Sequence, residues 1–428
     1  MGILLAILAL SFLIIIHELG HFLVAKAFKV KVNEFSLFMG PKLFSFQKGE
    51  TTYSLRLIPL GGYVKMEGEE EASEDDRAFN KKPIGVRSAI IAAGPIMNIL
   101  VAIVFAFLIM AQSGFYTTQI KTILPGSVAG KAGIQVGDKL QKYNGKSIFQ
   151  VNDLEIFAYP LTNESVNLQY ERNGETKTVK ITPPRQSGYK LGFAPKATDG
   201  VESNVAVDVS DKSPAMQAGL KDGDKIIKLN GIAVNSRQDI AKVLEQIKQN
   251  DVIITVSRGG NELNLKPVVP MIGKNPEYYA IGVDFEHTKG GFANTLVQSV
   301  KYNISISRSI YYSLGWLFTG KVPASDLMGP IGITTTIKDV VAQSPSLMDK
   351  VLNLLSFTAM ISINLGLVNL LPFPALDGSK LVLLLVEGIR KKPLNPDKEA
   401  LITMIGFVLL IMLMIYATFN DILRLGRG

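Results

Sequence analysis

The chain has 428 residues, a formal net charge of +8, 47% hydrophobic residues and no cysteine, with a mean hydropathy of +0.24. Lacking cysteine, it has no disulfides, and any metal site must use nitrogen and oxygen donors. The apolar excess is local, which argues against a wholly water-soluble protein.

Four apolar runs, roughly 1–25, 88–112, 349–371 and 400–420, each approach the ~20 residues that cross a bilayer, whereas 115–290 is polar. The first run, 1–25, contains "IIIHELGHFL". No basic stretch precedes its apolar core and the core itself carries ionisable groups, so it reads as an uncleaved span, not a signal peptide. On a helix His17 and His21 share a face, with Glu18 bordering the same point. This H-E-x-x-H spacing is the zinc metalloprotease pattern, in which two imidazoles hold the ion and the glutamate is general base. Ionisable groups are costly in lipid and mark a function there.

The next segment, 26–87, is rich in Lys and Arg, as is 379–399. Positive-inside logic makes both cytoplasmic loops, so the polar insert and both termini face outward. The basic charge then reads as topology and contact with the lipid bilayer, not nucleic-acid binding. Within the first loop, "TTYSLRLIPLGGYVKM" at 51–66 predicts two short strands punctuated by Pro59 and Gly61-Gly62. Its apolar content predicts a membrane-associated β region that lines protein, because lipid cannot satisfy its backbone. The acidic run at 68–76 reads as a solvated loop.

After the second span, 88–112, comes an internal repeat. "AGIQVGDKLQKYNGKSI" at 132–148 aligns with "AGLKDGDKIIKLNGIAV" at 218–234 in its Ala-Gly, Gly-Asp and Asn-Gly pairs. Each copy ends in an extended run, "VNLQYERNGETKTVKITP" or "DVIITVSRGGNELNLKPVV", read as a strand. The offset of 86 residues is too long for a solenoid unit, so two tandem α+β domains are expected, at 113–197 and 198–286. Their pattern resembles the PDZ domains of bacterial periplasmic proteases. Segment 287–348 carries apolar residues at helical spacing over 293–318, which predicts an amphipathic helix on the bilayer surface or on the second repeat.

The third span, 349–378, ends in "NLLPFPALDG". Pro372 and Pro374 break the helix, a feature tolerated in a membrane where it lines a polar cavity. Asp377 is the candidate third zinc ligand, and Asn369 can hold a substrate carbonyl. His287, the remaining histidine, lies beyond the repeats and is a poor candidate. A fourth span covers 400–422.

"HELGH" and "NLLPFPALDG" together resemble the site-2 protease family. The tandem PDZ-like insert narrows the resemblance to its bacterial regulator-of-sigma-E protease group, and "GPKLFSF", "IPLGGYVKM", "GPIMN" and "MGPIGI" agree. The resemblance implies a polytopic inner-membrane protein, with PDZ-like domains and both termini periplasmic. It implies one zinc ion per chain on His17, His21 and Asp377, with Glu18 activating water. Asn369, Pro372 and Pro374 would contact substrate, and Gly61, Gly62, Tyr63, Val64, Lys65 and Met66 would form a membrane-associated edge strand. Implied substrates are single-span membrane proteins: an anti-sigma factor already cut outside, and remnant signal peptides. A non-catalytic PDZ scaffold and a zinc transporter are the competing classes. A scaffold has no use for a zinc site, and a transporter needs polar residues along several spans.

Overall fold

The computed structural model describes residues 2–427 except 70, 72, 124–126, 159–164, 183–188, 199–200, 212, 273–280, 322–328, 330, 337–345 and 393–394. Four helical stretches are long and apolar enough to cross a membrane: Ile7–Ala27, Ile84–Ser113, Leu347–Asn369 and Asp397–Leu423. The chain divides into two compact units, one of 1–118, 149–156 and 286–428, the other of 119–148 and 157–285.

In the first unit, helix α1 (Gly2–Ala27) packs on helix α2 (Ile84–Ser113). Gly20 makes this approach possible, because a Cβ there would fall 2.4 Å from the Ala93 carbonyl oxygen. The third span, Leu347–Asn369, closes on α2 in the same way: a Cβ on Gly366 would lie 2.8 Å from the Pro95 carbonyl oxygen.

Between α1 and α2 lies a β region of two long strands, β1 (Val32–Lys48) and β2 (Thr51–Met66). Sequence reading found β2, divided at Pro59 and Gly61, and missed β1, whose Gly40-Pro41 pair and scattered polar residues hide its alternation. The strands bend at Phe38, Gly40 and Gly61, all at positive φ. The register shows the result: Phe35 stands opposite both Val64 and Tyr53, while Phe46 also stands opposite Tyr53. Residues 62–66 therefore flank 32–37 on one side and 52–55 flank 34–37 on the other. Of the acidic run, Asp75 pairs with Lys31 at 3.2 Å, Glu74 with Lys81 at 2.8 Å and Glu69 with Lys380 at 3.0 Å, so it is stitched down and not simply solvated.

The helix expected from 293–318 is α3, Phe292–Phe318. It buries Thr295, Ser299 and Asn303, one helical turn apart, and meets α2 and the third span. Its Phe292 ring lies 5.1 Å from Phe107, and Ile306 and Ile310 pack on Ala102, Ile363 and Leu367. Small polar residues at four-residue spacing suit close helix contact as well as an aqueous face, and the pattern alone does not choose between them.

The third span stops at Asn369, nine residues short of the expected 378, because Pro372 and Pro374 supply no N–H to continue it. A new helix, Asp377–Arg390, begins where a loop was expected, and Glu387 in it takes Arg87 of α2 through two contacts of 3.0 and 2.5 Å. The last helix, Pro396–Arg427, receives the intervening loop at Gly406, where a Cβ would lie 2.3 Å from the Pro374 carbonyl oxygen.

The second unit is built on the repeat. Buried positions recur at the 86-residue offset: Ile120 with Ala206, Ala129 with Ala215, Ile134 with Leu220, Leu140 with Ile226, Tyr143 with Leu229 and Leu168 with Ile254. Both Asn-Gly pairs adopt positive φ at both residues (47° and 82° at Asn144-Gly145, 47° and 80° at Asn230-Gly231), the type I′ geometry that matches strand twist. The two long terminal runs are hairpins, not single strands. Asn173-Gly174 turns Val166–Arg172 back onto Glu175–Ile181, and Gly259-Gly260 turns Ile254–Arg258 onto Asn261–Asn264. An ion pair is duplicated too. Asp138 takes Arg172 in a fork at 2.7 and 2.7 Å, and Asp224 takes Arg258 at 2.7 and 2.6 Å. Outside the repeated motifs the sheets depart from the expected boundaries. Phe193–Thr198 pairs with Val201–Val209, and Val283–Thr288 joins the sheet of Phe115–Ile123.

Candidate metal centre

His17 and His21 stand one turn apart on α1, and the break after the third span delivers Asp377 to them. Asp377 Oδ2 lies 3.1 Å from His17 Nε2 and 3.5 Å from His21 Nε2, and the two imidazole nitrogens are 3.2 Å apart. One donor atom from each residue falls within 4.8 Å of the others, the only such group of ligating side chains among the described residues. Asp377 Oδ2 is buried and receives no hydrogen bond. Three lone-pair atoms turned on one point, two nitrogens and one oxygen with one buried oxygen unpartnered, fit a zinc ion with an open fourth position. His287 stays apart, its ring 4.8 Å from that of Tyr116.

The neighbours explain why the sequence folds this way. Gly94 of α2 leaves room for both rings, since a Cβ there would fall 2.3 Å from His21 Nε2 and 2.9 Å from His17 Cε1. His21 Nδ1 lies 2.8 Å from the Ile90 carbonyl oxygen and donates to it, which leaves Nε2 free as a ligand. Asn98, wholly buried, lies beside His17. Sequence reading used "GPIMN" only as a point of resemblance and assigned no role to Gly94 or Asn98. A glycine-proline pair and an asparagine inside an apolar run were the available signals.

Glu18 faces the β region, and its Cγ would be 3.4 Å from a Cβ on Gly62. From Gly62 to Met66 the strand pairs with Leu37 to Val32, and the register gives these residues no second partner among the described strands. Ser11 of α1 donates to the Pro59 carbonyl, fixing the bend just ahead of this edge. Arg56 braces it from below, donating to the Tyr63 hydroxyl at 2.6 Å and to Glu34 at 3.0 Å. Gly61 turns into the edge at a φ of 84°, Val64 packs on the α1–α2 core, Met66 is buried and Lys65 is exposed. Asn369 closes the third span and is half-buried, with Pro372 and Pro374 in the loop between it and Asp377.

A helix carrying H-E-x-x-H, met by a carboxylate from beyond a broken third span, is the arrangement of a membrane metalloprotease. The profile of peptidase family M50 matches residues 5–413. The chain is 32% identical over 431 residues to the regulator of sigma-W protease RasP of Bacillus subtilis, covering 96% of each. It is 31% identical over 447 residues to the regulator of sigma E protease of Haemophilus influenzae, covering 98% of each. It is 31% identical to the zinc metalloprotease RasP of Shouchella clausii, over 99% of this chain and the whole of that one. The chain belongs to peptidase family M50, the site-2 proteases, and is an intramembrane metalloprotease with zinc as its cofactor.

Proposed function

We propose that this protein cuts single-span membrane proteins within their transmembrane segments, with His17, His21 and Asp377 as zinc ligands and Glu18 as general base. The observation that carries the reading is the convergence of Asp377 on the two histidines, within 3.1 and 3.5 Å. Zinc bound there supplies Lewis acidity, polarising the scissile carbonyl and bringing its water's pKa to about 7. The Glu18 carboxylate takes a proton from the attacking water and returns it to the leaving amine. A substrate helix hides its carbonyls in its own hydrogen bonds and must unwind to be cut. The one-sided edge at Gly62–Met66 would take the unwound segment by strand addition, beside Glu18. Asn369 and the Pro372–Pro374 turn would also contact the substrate.

Two of the named relatives are, by name, regulators of a sigma factor, sigma-W and sigma E. For this chain the proposed substrates are an anti-sigma factor trimmed by a first external cut, and remnant signal peptides. The protein would sit in a bacterial inner membrane with both termini and the two repeats, read as PDZ-like domains, on the periplasmic side, where they meet substrate ectodomains. Support comes from the basic loops and from the duplicated core.

The test is cleavage of a synthetic transmembrane peptide by the purified protein, with zinc content measured in parallel. Glu18→Gln is expected to keep one zinc and lose cleavage. His17→Ala and Asp377→Ala are expected to lose both, as a chelator does. Full cleavage by Glu18→Gln would sink the general-base role, and an unchanged zinc affinity in Asp377→Ala would remove that residue from the metal.

A further inference from the structure

The two histidines face the ion alike but are held differently on their far sides. His21 Nδ1 is 2.8 Å from the Ile90 carbonyl oxygen, which only accepts. Its proton is therefore on Nδ1, and Nε2 is a free ligand. Among the described residues, no carbonyl is hydrogen-bonded to His17 Nδ1. Its Nδ1 lies 3.4 Å from the side-chain amide nitrogen of Asn98. Asn98 is 0% exposed, and its Oδ1 is buried without a hydrogen-bond partner. The two ends of an asparagine amide have nearly the same shape, and which one faces a neighbour is decided by the hydrogen bonds they make. With the nitrogen toward His17, the ring would accept there, carry its proton on Nε2 and be lost as a ligand. With the oxygen toward His17, the unpartnered atom gains a donor and both rings present Nε2 to the same point. The backbone holds Asn98 in place for this: its carbonyl takes the Ser362 hydroxyl of the third span at 2.7 Å.

We propose that Asn98 is the positioning residue of His17, its Oδ1 accepting the Nδ1–H and fixing the tautomer that binds zinc, as the Ile90 carbonyl does for His21. The proposal rests on His17 being a zinc ligand. Ligating histidines in general donate their second ring N–H to an oxygen acceptor, and losing that acceptor weakens metal binding about 10–100-fold.

The experiment compares Asn98→Leu, which keeps the size and loses the acceptor, with Asn98→Asp, which keeps an acceptor, in the full-length protein in detergent. Zinc affinity is read by chelator competition, and the ring tautomers by nitrogen-15 spectra of labelled histidine, simple here because the chain has 3 histidines. Asn98→Leu is expected to weaken zinc about 10–100-fold and to change the His17 ring signals while leaving those of His21 unmoved. Asn98→Asp is expected to restore affinity to near the unsubstituted value. A merely structural asparagine predicts the opposite order, since a buried carboxylate packs no better than leucine. Equal affinity in Asn98→Leu and the parent, or Asn98→Asp failing as badly as Asn98→Leu, overturns the proposal. His17→Ala separates it from the reading beneath it: if that variant also binds zinc normally, the ligand assignment falls. If it loses zinc while Asn98→Leu does not, only the role of Asn98 falls.

Discussion

Gly62 and Glu18 meet where the edge strand crosses the first span: a Cβ on residue 62 would rest 3.4 Å from Glu18 Cγ and 3.0 Å from the Ser36 carbonyl oxygen. The absence of a side chain there keeps Glu18, the proposed general base, beside an open strand edge. Gly62→Ala asks the Ser36 carbonyl to give by a few tenths of an ångström and is expected to cost activity modestly. Gly62→Val adds two methyl groups toward Glu18 and is expected to lower peptide cleavage at least tenfold, about 1.4 kcal/mol in the barrier, with zinc content unchanged. Cleavage by Gly62→Val at the parent rate would remove strand addition beside Glu18 from the mechanism.

Gly94 makes a sharper case on the metal side. A methyl group at 94 would stand 2.3 Å from His21 Nε2 and 2.9 Å from His17 Cε1, against ring atoms that cannot both withdraw. Gly94→Ala is therefore expected to lose zinc and activity together, whereas Gly85→Ala, in open space on the same helix, is expected to keep both. Metal analysis of the two purified variants decides the matter. A fully zinc-loaded Gly94→Ala would mean that α1 and α2 sit farther apart than described.

These two glycines show which parts of the site could be read in advance. His17, Glu18, His21 and Asp377 stand out in the sequence because few chemistries need those side chains at that spacing in an apolar setting, and the structure brings the two histidines and Asp377 together. Gly94 and Gly62 matter for what they lack, and an absent Cβ carries no pattern until its neighbour is known. The repeat was legible because Gly-Asp and Asn-Gly are demanded by local backbone geometry. The strand β1, the packing of α3 and the helix Asp377–Arg390 were not, because each is decided by a partner far away in sequence: β1 by Gly62–Met66, α3 by α2 and the third span, the short helix by Arg87.

The duplicated ion pair sets how the repeats respond to acid. Burial alone would raise the Asp138 carboxyl, but the Arg172 guanidinium and the Gln135 N–H outweigh it and hold the group below its ordinary value; Arg258 and the Lys221 N–H do the same for Asp224. A carboxyl with a lowered folded-state pKa stabilises the fold above its unfolded value of about 3.9 and gives up that stability as pH falls through the folded value. Both repeats are therefore expected to loosen below about pH 4. Asp138→Asn should lower hydrogen-exchange protection of Lys139–Tyr143 and Val166–Arg172 near neutrality and flatten their acid response, leaving Lys225–Leu229 and Ile254–Arg258 as before. Unchanged protection of the first repeat near neutrality would show that the fork contributes nothing to its stability.

The proposed orientation in the membrane rests on the basic loops and is open to a direct test, because the chain has no native cysteine. Lys and Arg crowd 26–87 and 379–399, the two segments that join the first span to the second and the third to the fourth, and positive-inside bias holds such loops in the cytoplasm. The repeats, between the second and third spans, would then lie on the other side. Asp76 and Thr176 are both exposed, so a cysteine at either is accessible once a reagent reaches its side. In intact cells with a permeable outer layer, Thr176→Cys is expected to react with a membrane-impermeant thiol reagent and Asp76→Cys to react only after lysis. Each variant must first cleave the synthetic peptide, so that labelling reports on active protein. Reaction of Asp76→Cys in sealed cells with Thr176→Cys protected would invert the topology, and with it the proposal that the repeats meet substrate ectodomains before the transmembrane segment reaches His17 and His21.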